Sequence, residues 1–373
     1  MLNNTQKAFL ALLRAGLWES EVQLLPFTTV DYIEIYRLAQ EQSVTGIVAA
    51  GLEHVVDTKV SQEVALTFVG DALQLEQRNI SMNYFVGELV KKMRKAGIYT
   101  LLVKGQGIAQ CYERHLWRAC GDIDFFLSES NYQNAKNYLK PLASIVVEEN
   151  QYNQHLALTI DSWLVELHGT LRGGLWNKVN KGLDEIQNDI FCGGHVRSWM
   201  NGNTQIFLPR ADEDVVFVFA HILQHFFRGG IGMRQICDWC RLLYVFRDKI
   251  DRRLLFSRLK RMGVVSEWKT FAAYATKYMG MPVEAMPFFD PSERWKKKSQ
   301  RLIKVILKTG NFDQAKDFSY KKNNSLMIRL AISFWRHTTE TFEKAFVFPL
   351  DSIKMWKNEM LFAWEAIIQG KLS

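Results

Sequence analysis

The stretch Leu101-Leu-Val-Lys-Gly-Gln-Gly107, followed by Arg118-Ala-Cys-Gly-Asp-Ile-Asp-Phe-Phe-Leu127, decides how this chain is read. The run Ile98-Tyr-Thr-Leu-Leu-Val103 is β-rich and stops at a glycine-rich turn, Lys104-Gly105-Gln106-Gly107. Asp122-Ile-Asp-Phe-Phe-Leu127 alternates with period two, the mark of a strand. Side chains two apart on a strand share a face, so Asp122 and Asp124 project together while Ile123 and Phe125 face the other way. Two carboxylates on one face repel each other unless a cation lies between them, and a hard divalent ion with oxygen ligands suits that position. Taken alone, the pair also fits two solvated acids on an edge strand. The turn ahead of it favours chemistry: glycines admit a close backbone approach, and a helix N-terminus offers free N–H groups to phosphate.

Farther along, His155–Ile160 and Trp163–Leu167 are predicted strands separated by Asp161-Ser162, a hairpin turn. In Trp163-Leu-Val-Glu-Leu-His168, Glu166 and His168 share one face, opposite Val165 and Leu167. A third acid on a neighbouring strand would complete a site for two metal ions about 3.5–4 Å apart, the arrangement used for in-line phosphoryl displacement. Helical patterns at about 107–115 and 131–140 lie between the strands. Residues 1–97 read as helical throughout, with Asp31 capping a helix to Gln42 and Ser61 capping one to about Ala96, where Gly97 stops it. Beyond Pro209 helices return, at about 212–228, 234–248, 252–262, 265–279, 293–309, 325–345 and 351–368, with Pro282, Pro287 and Pro291 marking a loop. The expected class is α+β: a small mixed sheet over 98–208, an N-terminal helical region over 1–97 and a C-terminal helical domain over 209–373.

Composition narrows the function classes. The chain has 373 residues, 48% hydrophobic and 23% charged, which is ordinary globular composition and argues against disorder. A net charge of +8 favours acidic partners such as nucleotides. No stretch reaches the ~18 apolar residues of a membrane helix, so no membrane partner is expected. Five cysteines, an odd number, fit reduced thiols and a cytoplasmic location. Cys237 and Cys240 form a C-x-x-C inside a helical pattern, which reads as a buried helix face. The basic run Arg294-Trp-Lys-Lys-Lys298 has no accompanying reading motif, so it is expected to be a solvated face and not a high-affinity nucleic-acid site.

Val103-Lys-Gly-Gln-Gly107, Arg118, Gly121-Asp-Ile-Asp124 and Val165-Glu-Leu-His168, in that order, resemble the uncharacterised nucleotidyltransferases of the DNA polymerase β-like superfamily, whose pattern runs roughly LKG, R, GDIDLLV, VELHW. The resemblance is clear over about 98–170. It implies metal-dependent transfer of a nucleoside monophosphate from a nucleoside triphosphate, with two Mg²⁺ (or Mn²⁺) ions and an acceptor hydroxyl on a protein, RNA, sugar or small molecule. Asp122, Asp124 and Glu166 are then the metal-binding and catalytic carboxylates. Lys104, Gly105, Gln106, Gly107 and Arg118 hold the nucleotide. His168, His221, His225, Arg234 and Asp238 line the cleft, and Arg234 and Asp238, four apart on a helix, also fit a simple ion pair. The wider superfamily commonly has a hydroxyl residue where this chain has Gln106. That departure supports the alternative of a degenerate scaffold that binds nucleotide or a partner protein without turnover. Three clustered acids should repel, so at least one pKa should be raised, and removing Asp124 should leave the fold intact or slightly more stable.

Overall fold

The computed structural model describes residues 2–28, 30–151, 153–310 and 326–368. Four helices come first: α1 (Asn4–Trp18), α2 (Tyr32–Glu41), α3 (Thr45–Glu53) and the long α4 (Gln62–Lys95). Their boundaries follow local chemistry. The Asp31 carboxylate accepts the Glu34 amide at 3.0 Å, the Ser61 hydroxyl accepts that of Val64 at 3.4 Å, and Gly97 takes a left-handed φ of +76°.

A single seven-stranded sheet follows, built from β1 (Leu101–Val103), β2 (Asp122–Phe126), β3 (Ile145–Val146), β4 (His155–Ile160), β5 (Trp163–His168), β6 (Arg197–Asn201) and β7 (Thr204–Leu208). Its order is β3-β4-β5-β2-β1-β7-β6. β2 runs parallel to β5 and antiparallel to β1, and β7 joins β1 in parallel, so the sheet is mixed as expected. The β4–β5 hairpin turns on Asp161 (φ +48°) and Ser162 (φ +71°), two left-handed residues as a two-residue turn needs. Helices α5 (Gly105–Ala109), α6 (Glu129–Leu139) and α7 (Asn177–Gly193) interrupt the strands.

After the sheet come α8 (Ala211–Arg228), α9 (Met233–Val245), α10 (Arg252–Met262), α11 (Val265–Tyr278), α12 (Glu293–Thr309), α13 (Leu326–Ala345) and α14 (Pro349–Ile368). Their positions track the 3.6-residue pattern closely. Three elements go beyond the expectation: β3, α7 and the β6–β7 hairpin. The hairpin's Gly202-Asn203 turn, with Gly202 at φ +56°, was a readable signal. Strand β1 is shorter than Ile98–Val103 because the Ile98 amide bonds back to the Met93 carbonyl at 2.9 Å, closing α4.

The sheet separates two hydrophobic clusters. On one face Leu102, Ile123, Phe125, Val165 and Leu167 join Met82, Val86, Leu89 and Met93 of α4 and Tyr132 and Leu139 of α6. Phe125 and Val165 are fully buried there, and burial of such a side chain stabilises by roughly 1.5–3 kcal/mol. On the other face Leu101, Val103 and Phe126 join the larger cluster, which takes in α1, α3 and α7–α11. The acids of β2 and β5 lie on this second face, where the C-terminal helices cover the sheet and leave a cavity.

Candidate functional site

Register places the acids. Asp124 lies opposite Glu166, Phe126 opposite His168, and, across the hairpin, Glu166 opposite Ala157 and His168 opposite His155. Directly opposed residues share a sheet face, so Asp122, Asp124, Glu166, His168 and His155 all project to the same side. They line a cavity of about 320 Å³ together with Lys104, Gly105, Arg118, His221, His225, Arg234 and Asp238.

The charges in this cavity are already partly matched. Lys104 Nζ donates to Asp124 Oδ1 at 2.7 Å, and His168 Nε2 lies 2.8 Å from the same oxygen. His168 Nε2 is also 3.5 Å from Glu166 Oε2, which His155 Nε2 reaches at 3.0 Å. His168 thus sits between two acids. Burial opposes ionisation of Asp124, but Lys104 and the His168 hydrogen bond outweigh it and hold the carboxyl below its usual range. Burial is likewise outweighed at Glu166, by the hydrogen bonds from His155 and His168 and the charge of Lys104. His168 is held above the ordinary histidine value: burial works against its charge, and the bonds to Asp124 and Glu166 overcome it.

Asp122 differs. Among the described residues no hydrogen bond or ion pair reaches its carboxylate, and burial plus the Asp124 charge push its pKa up. Of the three acids, Asp122 is therefore the one whose pKa is raised. Asp124, by contrast, is 2% exposed and carries the ion pair with Lys104, a contact that the expectation for its removal did not include.

Among the described residues, the donor atoms of His155, Glu166 and His168 lie within 4.8 Å of one another, a grouping the sequence reading did not anticipate, and His168 lies between Asp124 and Glu166. Sequence reasoning passed over His155, yet the hairpin signalled it. A two-residue turn at 161–162 pairs Ile160 with Trp163 and, counting back, His155 with His168.

The glycine-rich turn divides its labour. Lys104 has φ +56°, a strained value for a residue with a Cβ and worth of order 1–3 kcal/mol, which packing must sustain to aim its ammonium at Asp124. Gly105, at φ +35°, has room for no more than a tight Cβ, 3.2 Å from Cys120 Sγ. Gln106 and Gly107 do not line the cavity. The Gln106 side chain is buried and donates to Asn79 Oδ1 of α4 at 2.8 Å, and a Cβ on Gly107 would meet Leu208 at 2.8 Å. Both serve packing of the turn against α4 and β7.

The cavity's other wall comes from α8 and α9. Arg118, 4% exposed, forks onto Asp238, with Nε–Oδ1 at 3.0 Å and Nη2–Oδ2 at 2.5 Å, and Tyr112 donates to the same carboxylate at 2.7 Å. No Arg234–Asp238 ion pair forms among the described residues. Asp238 is taken by Arg118, and Arg234 Nη1 donates to the Ala119 carbonyl at 2.9 Å. Arg118 Nη1 and Arg234 Nε are buried without a hydrogen-bond acceptor. His221 and His225 bond each other through their Nε2 atoms at 2.9 Å. Burial, then the charge of Lys104, keeps both neutral: His221 lies well below its usual value and His225 is lowered to about 4.

Among the described residues no helix is long and apolar enough to cross a membrane. No curated protein and no solved structure matches the chain. One protein family does, described as uncharacterised nucleotidyltransferase, over residues 28–280, a span that takes in the whole sheet, the glycine-rich turn, both acid-bearing strands and α8 to α11. That match covers well over half of the chain, which therefore belongs to this nucleotidyltransferase family.

Proposed function

We propose that the protein transfers a nucleoside monophosphate from a nucleoside triphosphate to an acceptor hydroxyl in a reaction dependent on divalent metal. The observation that carries this reading is Asp122 and Asp124 on one face of β2, with Glu166 in register beside Asp124, at the wall of a cavity that also holds Lys104, Arg118 and Arg234. The donor set fits the ion. Carboxylate oxygens are the ligands Mg²⁺ and Mn²⁺ prefer, and the unpartnered, raised Asp122 carboxyl is a group that a cation would relieve. Asp122, Asp124 and Glu166 would hold the metal, which supplies charge neutralisation at the phosphate oxygens.

The chain's own residues do the rest. Lys104 keeps Asp124 ionised, and His155 and His168 do so for Glu166. The acceptor-free Nη1 of Arg118 and Nε of Arg234 are donors suited to phosphate oxygens. Neutral His221 and His225 add no charge to the cavity, whose lining cations include Lys104, Arg118, Arg172 and Arg234. Catalysis would come mainly from positioning and charge stabilisation, as in phosphoryl transfer generally.

A second reading rests on the ion pair itself: with Asp124 already neutralised by Lys104 and His168, and with Gln106 turned into the fold, the cavity would bind nucleotide without turning it over. One experiment separates the two. Thermal shift with ATP, GTP, CTP and UTP, each with and without Mg²⁺, is followed by measurement of pyrophosphate release. The transferase reading expects metal-dependent stabilisation by at least one nucleotide and pyrophosphate release that Asp122→Asn abolishes. Stabilisation without metal and without pyrophosphate release favours the scaffold, and undiminished release from Asp122→Asn would overturn the assignment of the site.

A further inference from the structure

A second cleft, of about 730 Å³, opens on the N-terminal side of the molecule between α1, α9 and the turn after α11. It is separate from the acid-lined cavity, with which it shares no residue. Four charged side chains line it: Arg14, Arg241, Glu113 and Glu21. Arg241 is fully engaged. Its Nε donates to the Cys111 carbonyl at 2.7 Å, Nη1 to the Leu17 carbonyl at 3.2 Å and Nη2 to Glu113 at 3.2 Å. Glu21 lies exposed at the rim. Arg14 is the exception, since among the described residues it makes no hydrogen bond or ion pair.

The Arg14 stem is held in place. A Cβ on Gly280 would come within 3.2 Å of its Cδ, so the glycine, at φ +68°, is what lets the side chain lie against the turn. Burial lowers the Arg14 pKa, which is the response of a desolvated cation without a counter-ion. Beside it stand Trp18 and Tyr244, edge to face with ring centroids 5.1 Å apart, and Trp18 is locked by a 2.6 Å bond from Nε1 to the Met279 carbonyl. The cleft thus combines one unpaired guanidinium with rigid aromatic walls.

From this we infer that the cleft binds a small aromatic monocarboxylate, its carboxylate forked by Arg14 and its ring against Trp18 and Tyr244. The ligand's charge follows from Arg14: Arg241 is already paired with Glu113, so one carboxylate completes Arg14, whereas a second negative charge would face Glu21 and Glu113 without a cation of its own. A planar guanidinium also matches a planar carboxylate in a two-point contact. The volume lies in the range of small-molecule sites. This inference is independent of the transferase reading.

The test is calorimetric titration of the full chain in buffer free of divalent ions, with indole-3-carboxylate as probe. One-to-one binding with a dissociation constant at or below about 1 mM is expected for a ligand of this size. Indole-3-carboxamide, which has the shape without the charge, should bind roughly tenfold or more weakly, and Arg14→Gln should weaken the carboxylate by a similar factor. Asp122→Asn should bind it as the parent does, and inorganic phosphate should not compete. No saturable binding, equal binding of the carboxamide, competition by phosphate, or a loss in Asp122→Asn without one in Arg14→Gln would each overturn the assignment. The carboxamide comparison needs no mutation, so the proposal is testable even if Arg14→Gln fails to fold.

Discussion

Asp122 and Asp124 stand two residues apart on one strand, yet their replacement by asparagine should have opposite effects on stability. In Asp124→Asn the side-chain volume and an acceptor oxygen are kept, but Lys104 Nζ, 2.7 Å away and 16% exposed, loses the negative charge that compensates its burial, as does His168 at 2.8 Å. Removing one member of a buried pair costs about 3–5 kcal/mol, and the residual exposure of Lys104 argues for the lower end, about 3 kcal/mol. Unfolding entropy of about 2.1 cal/mol/K per residue gives about 0.8 kcal/mol/K for a chain of 373 residues, so Tm should fall by about 4 °C. Asp122→Asn removes a carboxylate without a partner. Its folded pKa is raised by burial and by Asp124, so its ionisation costs stability as pH climbs from the unfolded value, near 3.8, through the folded one. Above the unfolded value that cost is present, and at pH 7.5 the asparagine variant should match or exceed the parent Tm. The assay is thermal unfolding at pH 7.5 with chelator. Adding Lys104→Met to Asp124→Asn should recover part of the loss, because the orphaned ammonium goes with it. An Asp124→Asn protein as stable as the parent, or an Asp122→Asn protein less stable than Asp124→Asn, would refute this account of the cavity.

Two more outcomes are expected. His225 is neutral in the fold with a pKa lowered to about 4, against 6.5 unfolded, so its contribution is intact above pH 6.5 and is lost at up to about 1.4 kcal/mol per pH unit as pH falls toward 4. Chemical denaturation from pH 7 to 4 should show a shallower decline for His225→Gln than for the parent, and parallel slopes would discount the histidine pair. Gln106→Ser introduces the hydroxyl common in the wider superfamily, but the side chain points to Asn79 and away from the cavity. The variant should therefore lose about 1–3 kcal/mol in urea denaturation and gain no nucleotide affinity in the same thermal-shift titrations, and a gain would show that the turn can re-aim.

Much of the architecture was legible in the residues. Alternation at Asp122–Leu127 and at His155–His168, helical periods bounded by Asp31 and Ser61, and a left-handed pair at Asp161-Ser162 are properties of a few consecutive residues, and the backbone expresses them wherever the chain is placed. The shared face of Asp122 and Asp124 follows from the same locality, and so would the position of His155, had the hairpin register been counted through. The partners of those side chains were not legible. Asp238 meets Arg118 from 120 positions away, Gln106 turns onto Asn79 of a preceding helix, and His168 enters between Asp124 and Glu166. Hydrogen bonds and ion pairs act over about 3–4 Å, a distance set by how α4, α8 and α9 pack on the sheet. Strand alternation chose which acids would face the cavity, and tertiary packing decided which of them would be neutralised there and which, Asp122, would be left without a partner.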